Sequence, residues 1–421
     1  MTIRRSAVIA AFLLICPIVW ADEDAPPFVI EALENTQRLE ADGRGRSTVL
    51  ARVQILNEAG RQAYGQLYFP YVDGVSSVRV TRVRTLKSDG SKVDTSLREV
   101  RDMIPAVTRQ APTFSNLKFK VVPVTDLEIG DRVESESVTT LKRPIVPGHF
   151  WMNHIPMRDH PVQAERVTLE LPAKRAVRME FDQEYPFEIK KRNGRRIYSW
   201  SLTNPEVQEG EILARRLYSV SSLRSWSEVG GWYHKMYQER ARLTPELKAL
   251  SETLTAGKHT SREKLQAIYD HVSMSVRYVA IQLGLGGYRP SFAQKTHTDE
   301  YGDCKDKHNL LSVLAGAAGL TVYPAFINTR HEIETDIPSP VEFNHVLSVV
   351  ALGDEWLWLD TTPGATPLGY LPPAWHGKQA LVVLGESESR LVEIPRESPV
   401  EERHRVDVKW RFDQTASLSA Q

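Results

Sequence analysis

Cysteine is nearly absent from this 421-residue chain, which contains only Cys16 and Cys304. Cys16 lies within the first 21 residues, so the rest of the chain has one thiol and cannot form an internal disulfide. The count excludes a small disulfide-stapled fold and a zinc site built from several cysteines. A lone thiol is either a small buried apolar side chain or a group used in chemistry. The count alone favours the first.

Long apolar runs are also missing beyond the first residues. Arg4 and Arg5 precede a mostly apolar segment, 6–20, which is shorter than the ~18 residues expected of a membrane-spanning helix. Residues 19–21, Val-Trp-Ala, offer small side chains at the positions that a signal peptidase requires. We therefore predict a signal peptide over 1–21, a periplasmic or secreted protein, and no stable membrane span after cleavage. The alternative is an uncleaved anchor.

The sequence also lacks a surplus of charge of either sign. The sequence has 53 basic and 53 acidic residues, and removing residues 1–21 leaves a formal charge of −2. This balance gives no support to a nucleic-acid partner, which would favour a basic surplus. The length is sufficient for two or three domains, each with its own core.

The first half of the chain is rich in predicted strands. After a leader at 22–46, residues 47–205 contain alternating or β-branched segments bounded by turn residues. Asn193-Gly194 stands between two alternating arms, which predicts a two-residue hairpin. The acidic residues are scattered among basic ones, as on a solvated surface. We predict a β-sandwich-like domain with no catalytic cluster.

From residue 206 the periodicity becomes helical and then mixed. Thr244 followed by Pro245, and Thr260 with Glu263, are helix-start patterns. A further helix is predicted from Asp303, and its apolar face comprises Leu310, Leu311, Leu314 and Ala318. Strands follow, so residues 206–375 predict an α+β domain. Residues 376–421 are interpreted as a linker and the start of a further, truncated β domain.

Cys304 lies where a tight turn enters that last helix. With Asp303 as the N-cap, Cys304 falls in the first turn, where unpaired N–H groups and the helix dipole favour a thiolate. Lys305 and Lys307 are expected to add positive charge. The same N–H groups could bind an oxyanion. These features predict a nucleophile rather than a structural cysteine.

A predicted hairpin supplies a histidine and a carboxylate. If Gly353 and Asp354 form its turn, Leu352 faces Glu355, and the same register puts His345 diagonally across from Asp360. Diagonal β-carbons on one face lie about 7 Å apart, which an imidazole and a carboxylate can bridge. A three-residue loop would put the two side chains on opposite faces.

Other assignments stay open. His308 is four residues after Cys304, so it could be the base or share a metal with the thiol, although no further ligand completes a metal site. His297 and Asp306 are expected to be solvated. Trp356 and Trp358 share the face of Asp360, either as core packing or as a wall that excludes water from a site.

Three segments together resemble a known family. YGDCKDKHNLL, FNHVLSVV and WLWLDTT are similar to the transglutaminase-like superfamily of papain-fold thiol enzymes. The likeness is to a bacterial branch that carries a β-rich N-terminal domain of unknown function. It implies a cysteine-bearing helix packed on an antiparallel sheet. It also implies Cys304 as nucleophile, His345 as general base and Asp360 as the residue that orients it. The motif does not fix a second oxyanion donor, for which Gln282 is a candidate.

These patterns predict an exported thiol enzyme that needs no cofactor or metal. Its Cys-His-Asp triad would attack a carboxamide or peptide bond of a protein or peptide in the cell envelope. A thioester would then pass to an amine, giving cross-linking, or to water, giving deamidation or proteolysis. The alternative is a non-catalytic protein that uses the same cleft to bind or scaffold a peptide.

Overall fold

The structure is a computed structural model that describes residues 26–104, 117–208, 210, 215–279, 287–353, 355–397 and 400, with the backbone of 411–412 and 418–419. The predicted signal peptide, Gln282 and Asp354 lie outside these residues. Across the ranges that are described, no helix is both long enough and apolar enough to cross a bilayer.

The first part of the chain is built almost entirely from strands. They are β1 (Phe28–Leu39), β2 (Gly45–Ile55), β3 (Gln66–Val72), β4 (Ser76–Leu86), β5 (Lys92–Asp94), β6 (Arg101–Met103), β7 (Leu117–Pro123), β8 (Arg132–Leu141), β9 (Trp151–His154), β10 (Val162–Pro172), β11 (Arg178–Phe181), β12 (Glu188–Arg192), β13 (Arg195–Asn204) and β14 (Tyr218–Ser221). A short helix, α1 (Glu58–Tyr64), and a 3-10 turn (Leu97–Glu99) interrupt them.

These strands form a sandwich of unequal layers. One layer is a sheet of eight strands in the order β12-β13-β10-β1-β2-β8-β4-β5. Two three-stranded sheets, β3-β7-β6 and β11-β14-β9, pack over its two halves, and each packing buries an apolar cluster. The predicted β-sandwich-like region is therefore confirmed, and several of its acidic residues form exposed ion pairs such as Lys190–Glu188.

The predicted Asn193-Gly194 hairpin is present between β12 and β13. Arg192 pairs with Arg195, and both turn residues have positive φ, 51° and 71°. A two-residue turn of this hand matches the right-handed twist of the strands it joins.

The β-rich region extends past both predicted boundaries. β1 lies in residues that the sequence assigned to a leader, yet it occupies the interior of the large sheet between β2 and β10. β14 follows the predicted end at 205 and pairs with β9 and β11. Both strands were missed because their pairing partners are far away in sequence.

In the second part of the chain, the described residues form five α-helices: α2 (Trp226–Gln238), α3 (Pro245–Thr255), α4 (Ser261–Ser275), α5 (Ala293–Asp299) and α6 (Cys304–Ala317). Its strands are β15 (Arg277–Tyr278), β16 (Tyr301–Gly302), β17 (Val322–Ile327), β18 (His345–Leu352), β19 (Glu355–Leu359), β20 (Gln379–Val383) and β21 (Ser389–Glu393). β22 (Arg411–Phe412) and β23 (Leu418–Ser419) pair with each other.

Helix α6 is the centre of this second part. On one side its residues Leu310, Leu311 and Leu314 pack against α3 and α4, and on the other the helix contacts β17 and β18. Those strands belong to an antiparallel sheet in the order β19-β18-β17-β20-β21. Thr244 and Thr260 cap α3 and α4 as predicted, and Gly319 follows the end of α6 with φ 83°. The α+β fold with a central helix on an antiparallel sheet is thus confirmed.

Residues 376–421 were predicted to be a linker and the start of another domain. Instead, β20 and β21 complete the five-stranded sheet, and Ala380, Leu381 and Val382 are fully buried in it. These apolar residues could not be placed from sequence, because nothing local shows which sheet a strand joins.

Two glycines let helix α2 approach the β20–β21 hairpin closely. A Cβ on Gly230 would overlap the Ser389 side chain, and a Cβ on Gly231 would overlap the carbonyl oxygen of Glu386. The contact is important for the site because the next residue, Trp232, lines the pocket described below.

Gly231→Ala is therefore expected to destabilise the protein by about 1–3 kcal/mol, because the methyl group meets rigid backbone. Gly316→Ala is the matched control, since it is also helical and a Cβ there meets nothing within 4 Å. Helix propensity should make that control neutral or stabilising by up to about 1 kcal/mol. Urea unfolding measures both, and equal stability of the two variants would contradict the close-packing argument.

Candidate active site

Cys304 begins α6, where the local sequence builds a firm helix start. The Asp303 side chain accepts hydrogen bonds from the backbone N–H groups of Lys305 and Asp306, both at 3.2 Å. In return, Asp306 accepts the N–H of Asp303 at 3.1 Å, which completes a capping box. The cap uses the second and third N–H groups of the helix and leaves that of Cys304 outside it. The predicted N-cap is confirmed, and the free thiol of Cys304 is 5% exposed.

The β18–β19 hairpin brings His345 and Asp360 together. Leu352 pairs with Glu355 and Ser348 with Leu359, which is the predicted two-residue register. His345 is the first residue of β18, and Asp360 follows β19 directly. The His345 Nε2 lies 3.2 Å from Asp360 Oδ2, and the backbone N–H of Thr362 donates to Asp360 Oδ1 at 2.8 Å. Both side chains are buried, so the carboxylate holds the ring in one orientation.

The thiol of Cys304 lines the same cavity as the His345 ring. Because Nε2 faces Asp360, Nδ1 is the ring nitrogen left for the sulfur. The structure therefore brings the three side chains proposed from sequence together, and both Cys304 and Asp360 act on the pKa of His345.

The charge balance of this chain favours a protonated histidine. Burial lowers the pKa of His345, but the charge and hydrogen bond of Asp360, with those of Cys304, outweigh burial and raise it to about 10. Burial raises the pKa of Asp360, because it disfavours the charged carboxylate. The charge and hydrogen bond of His345 outweigh burial and hold that pKa below its ordinary value. An imidazolium beside a thiol is the arrangement that prepares a nucleophilic sulfur.

A cavity of about 110 Å³ opens onto Cys304 and His345. Its walls are largely aromatic and apolar, and they include Trp232, Tyr233, Tyr288, Phe326 and Phe343. The loop 340–344, just before His345, forms one side, and α2 forms another. Aromatic walls around a nucleophile restrict access by water, which suits chemistry at a carbonyl group.

The two lysines after Cys304 were predicted to add positive charge beside the thiol. The charge of Lys305 does act on Cys304, although its ammonium is buried in an ion pair with Asp303. Lys307 instead donates to the carbonyl oxygens of Ser273 and Val276, at 3.1 and 2.6 Å, where α4 ends. Lys307 thus anchors the helix, and the cation held beside the thiol in the pocket wall is His345.

The alternative base, His308, points away from the thiol chemistry. Its Nδ1 lies 2.8 Å from Ser348 Oγ, and burial lowers its pKa to about 3, so the ring is neutral. His297 lies 3.7 Å from Glu246, outside the pocket walls. Asp306, expected on the surface, is fully buried as part of the capping box.

The tryptophan pair of β19 belongs to the core. Trp358 is buried in an apolar cluster with Leu347 and Val349, and Trp356 packs against the same cluster. Trp375 contacts the site from this part of the chain, with its ring centroid 5.2 Å from that of His345. Sequence reasoning missed it because it arrives from a 3-10 turn, Pro373–Trp375, without a periodic signal.

Sequence reasoning missed one further feature of the site, and another candidate lies outside the described residues. Helix α2, which supplies Trp232 and Tyr233, was not recognised, although Ser225 and Glu228 show a helix-start pattern. Gln282 lies outside the described residues. Among the residues that are described, no three His, Cys, Asp or Glu side chains are grouped to hold a metal ion.

Comparison with known families agrees with this geometry. Residues 41–208 match DUF3857, a domain of unknown function, and residues 248–361 match the transglutaminase-like superfamily. The core of this chain, over residues 248–361, is thus similar to the transglutaminase-like superfamily. The matched segment contains Cys304, His345 and Asp360, and it ends just after β19.

One solved structure has a similar fold over most of the chain. A candidate protease from Parabacteroides distasonis is 18% identical, with a TM-score of 0.71 over 88% of this chain and 72% of that one. This likeness shows that the fold of the β-rich part and the transglutaminase-like core is shared. No curated protein matches the sequence.

Other structures align only weakly. A candidate cysteine protease from Cytophaga hutchinsonii has 13% identity and a TM-score of 0.26, over 51% of this chain and 75% of that one. An M1 zinc metallopeptidase from Deinococcus radiodurans has 12% identity and a TM-score of 0.27, over 47% and 42%. Alignments with TM-scores this low do not show a shared fold.

Proposed function

We propose that this protein is an exported thiol enzyme that carries out acyl transfer or hydrolysis at a carboxamide or peptide bond. The observation that carries the proposal is that Cys304 and His345 line one aromatic pocket, with His345 held by the buried carboxylate of Asp360. A structural cysteine would not need a histidine oriented in this way beside it.

In the proposed mechanism, Cys304 Sγ attacks the substrate carbonyl carbon and the carbonyl oxygen becomes an oxyanion. The N–H of Cys304, which the Asp303 cap leaves unused, is one donor to that oxygen. His345 gives its proton to the departing amine, and the C–N bond breaks to leave a thioester on Cys304. Asp360 keeps the ring aligned throughout.

Resolution of the thioester needs a second nucleophile. His345, now neutral, takes a proton from water or from an amine as it attacks the thioester carbonyl, and the thiol is released. Water gives hydrolysis of an amide or peptide, and an amine gives a new amide. The proposed substrate is a protein or peptide of the cell envelope, reached after removal of residues 1–21.

The test is detection of the acyl-enzyme. The purified protein is incubated with envelope peptides that carry glutamine or peptide bonds, quenched in acid, and analysed by intact mass. We expect an adduct on Cys304 that disappears with hydroxylamine, which cleaves thioesters. If no peptide or carboxamide gives an adduct, although the protein still binds peptides in the pocket beside Cys304, the non-catalytic peptide-binding alternative replaces the proposed catalysis.

A further inference from the structure

Two arginines lie over one exposed phenylalanine near the pocket, and a third, Arg289, is three residues before that phenylalanine in the chain. The guanidinium carbon of Arg240 lies 4.1 Å from the ring centroid of Phe292, and that of Arg242 lies 6.0 Å from it. Burial, together with the positive charges of Arg289 and Arg242, lowers the pKa of Arg240. Arg240 is therefore repelled by both of the other arginines.

The structure shows no acidic partner for these arginines among the residues it describes. Within the described part of the chain, none of the three arginines forms an ion pair, whereas Arg215, Arg216 and Arg224 all do. The Nε of Arg240 is buried without a hydrogen-bond partner.

Among the described residues, the nearby acidic side chains form no ion pair with these arginines. Glu239 opposes the repulsion only through its charge. Glu246 is engaged instead with Gln294, at 2.7 Å, and with His297. Clustered like charge with no acid beside it is unfavourable, and a bound anion would relieve it.

The arginine cluster is tied to the helix of the thiol. The Asn309 side chain donates to the carbonyl oxygens of Arg240 and Ser291, at 3.2 and 2.7 Å. Asn309 is five residues after Cys304, which corresponds to about 7.5 Å along the helix axis. The segments that carry the arginines thus have fixed positions relative to the sulfur.

The cluster also adjoins the pocket wall. Tyr288, directly before Arg289, lines the pocket and packs against Trp232 with ring centroids 5.4 Å apart. A peptide leaving the pocket past Tyr288 would reach the arginines within a few residues, since an extended chain advances about 3.3–3.6 Å per residue.

We propose that Arg240, Arg242 and Arg289 form a subsite that binds a carboxylate of an acidic peptide substrate, a few residues from the bond attacked by Cys304. The identification of the peptide as substrate rests on the proposed function. A carboxylate matches the planar guanidinium fork, which can donate two parallel hydrogen bonds to it. The ring of Phe292 keeps the side chains of Arg240 and Arg242 in place through cation–π contact.

The test is peptide binding by the Cys304→Ala protein, which needs no turnover. Two fluorescein-labelled probes are compared, Glu-Glu-Ala-Gln-Ala-Glu-Glu and the same peptide with every Glu replaced by Gln. We expect the acidic probe to bind at least about 10-fold more tightly, because charge-assisted hydrogen bonds contribute to it alone. Adding Arg242→Gln and Arg289→Gln should reduce the preference to about 2-fold or less without weakening the neutral probe.

The matched control removes two exposed charges elsewhere, by Lys258→Gln in the loop before α4 and Arg262→Gln in the first turn of α4, and should keep the full preference. An acid preference that is the same with and without Arg242 and Arg289 would overturn the subsite, as would absence of binding of the acidic probe at millimolar concentration.

Iodoacetamide labelling of the wild-type thiol separates the two proposals. If Cys304 is inert but the arginine-dependent preference persists, the subsite stands and the proposed catalysis fails. If Cys304 reacts but the preference does not depend on the arginines, catalysis stands and the subsite fails.

Discussion

Replacing His345 by alanine should reduce the alkylation rate of Cys304 by iodoacetamide at pH 7 by about 30-fold or more. The imidazolium, whose pKa is raised to about 10, lines the pocket with Cys304, whereas Lys305 is paired with Asp303 and Lys307 donates to backbone carbonyl oxygens. An ordinary thiol, with a pKa of ~8.5, is only about 3% thiolate at pH 7. Loss of the cation should leave Cys304 no more reactive than that, and burial among apolar side chains should reduce its reactivity further.

The measurement compares pseudo-first-order rates at pH 7 and pH 10 for each protein. Alanine also widens the pocket, so the ratio of the two rates is the useful quantity because it cancels differences in access. We expect a ratio near one for the wild type and of about 0.03 or less for the variant. His259→Ala, at an exposed position on the loop before α4, should behave as the wild type. Equal ratios for wild type and His345→Ala would remove the basis of the catalytic proposal.

The positions of the site residues could be predicted from sequence where they depend on residues that are close together in the chain. An N-cap followed by a cysteine fixes where the thiol lies on its helix, because the cap geometry involves four consecutive residues. The two-residue turn fixes the hairpin register, so the His345–Asp360 contact followed by counting. Both inferences use contacts between residues that are near each other in the chain.

The errors involve burial and long-range pairing. Lys305 and Lys307 looked like solvated charges, but the helix that carries them is covered on all sides by α3, α4 and the sheet. β1, β20 and β21 were misplaced because their partners are set by sheet topology rather than by nearby residues. The pocket walls come from elements on both sides of Cys304 in the sequence. Periodicity shows which residues are buried but not what they are buried against.

The largest expected effect on stability comes from the His345–Asp360 pair and depends on pH. The folded-state pKa of His345 is raised above its ordinary 6.5, so its contribution is complete below about pH 6.5 and is lost as the pH rises toward 10. The pKa of Asp360 is lowered, so its contribution is present above ~4 and is lost as the pH falls further. The pair should therefore stabilise the core most between about pH 4 and 6.5.

The thiol would complicate this measurement because it exchanges a proton with His345, so the comparison is made in the Cys304→Ala background. Asp360 remains the main cause of the raised histidine pKa there. Between pH 6.5 and pH 10, Cys304→Ala should lose on the order of 2–4 kcal/mol more unfolding free energy than Cys304→Ala with His345→Gln, because each pKa unit corresponds to about 1.4 kcal/mol. Every other titrating group is common to both proteins and cancels in the difference. Parallel pH profiles in urea unfolding would show that His345 is already neutral in the folded state, in which case it could bond the thiol only as a base and not as a counterion.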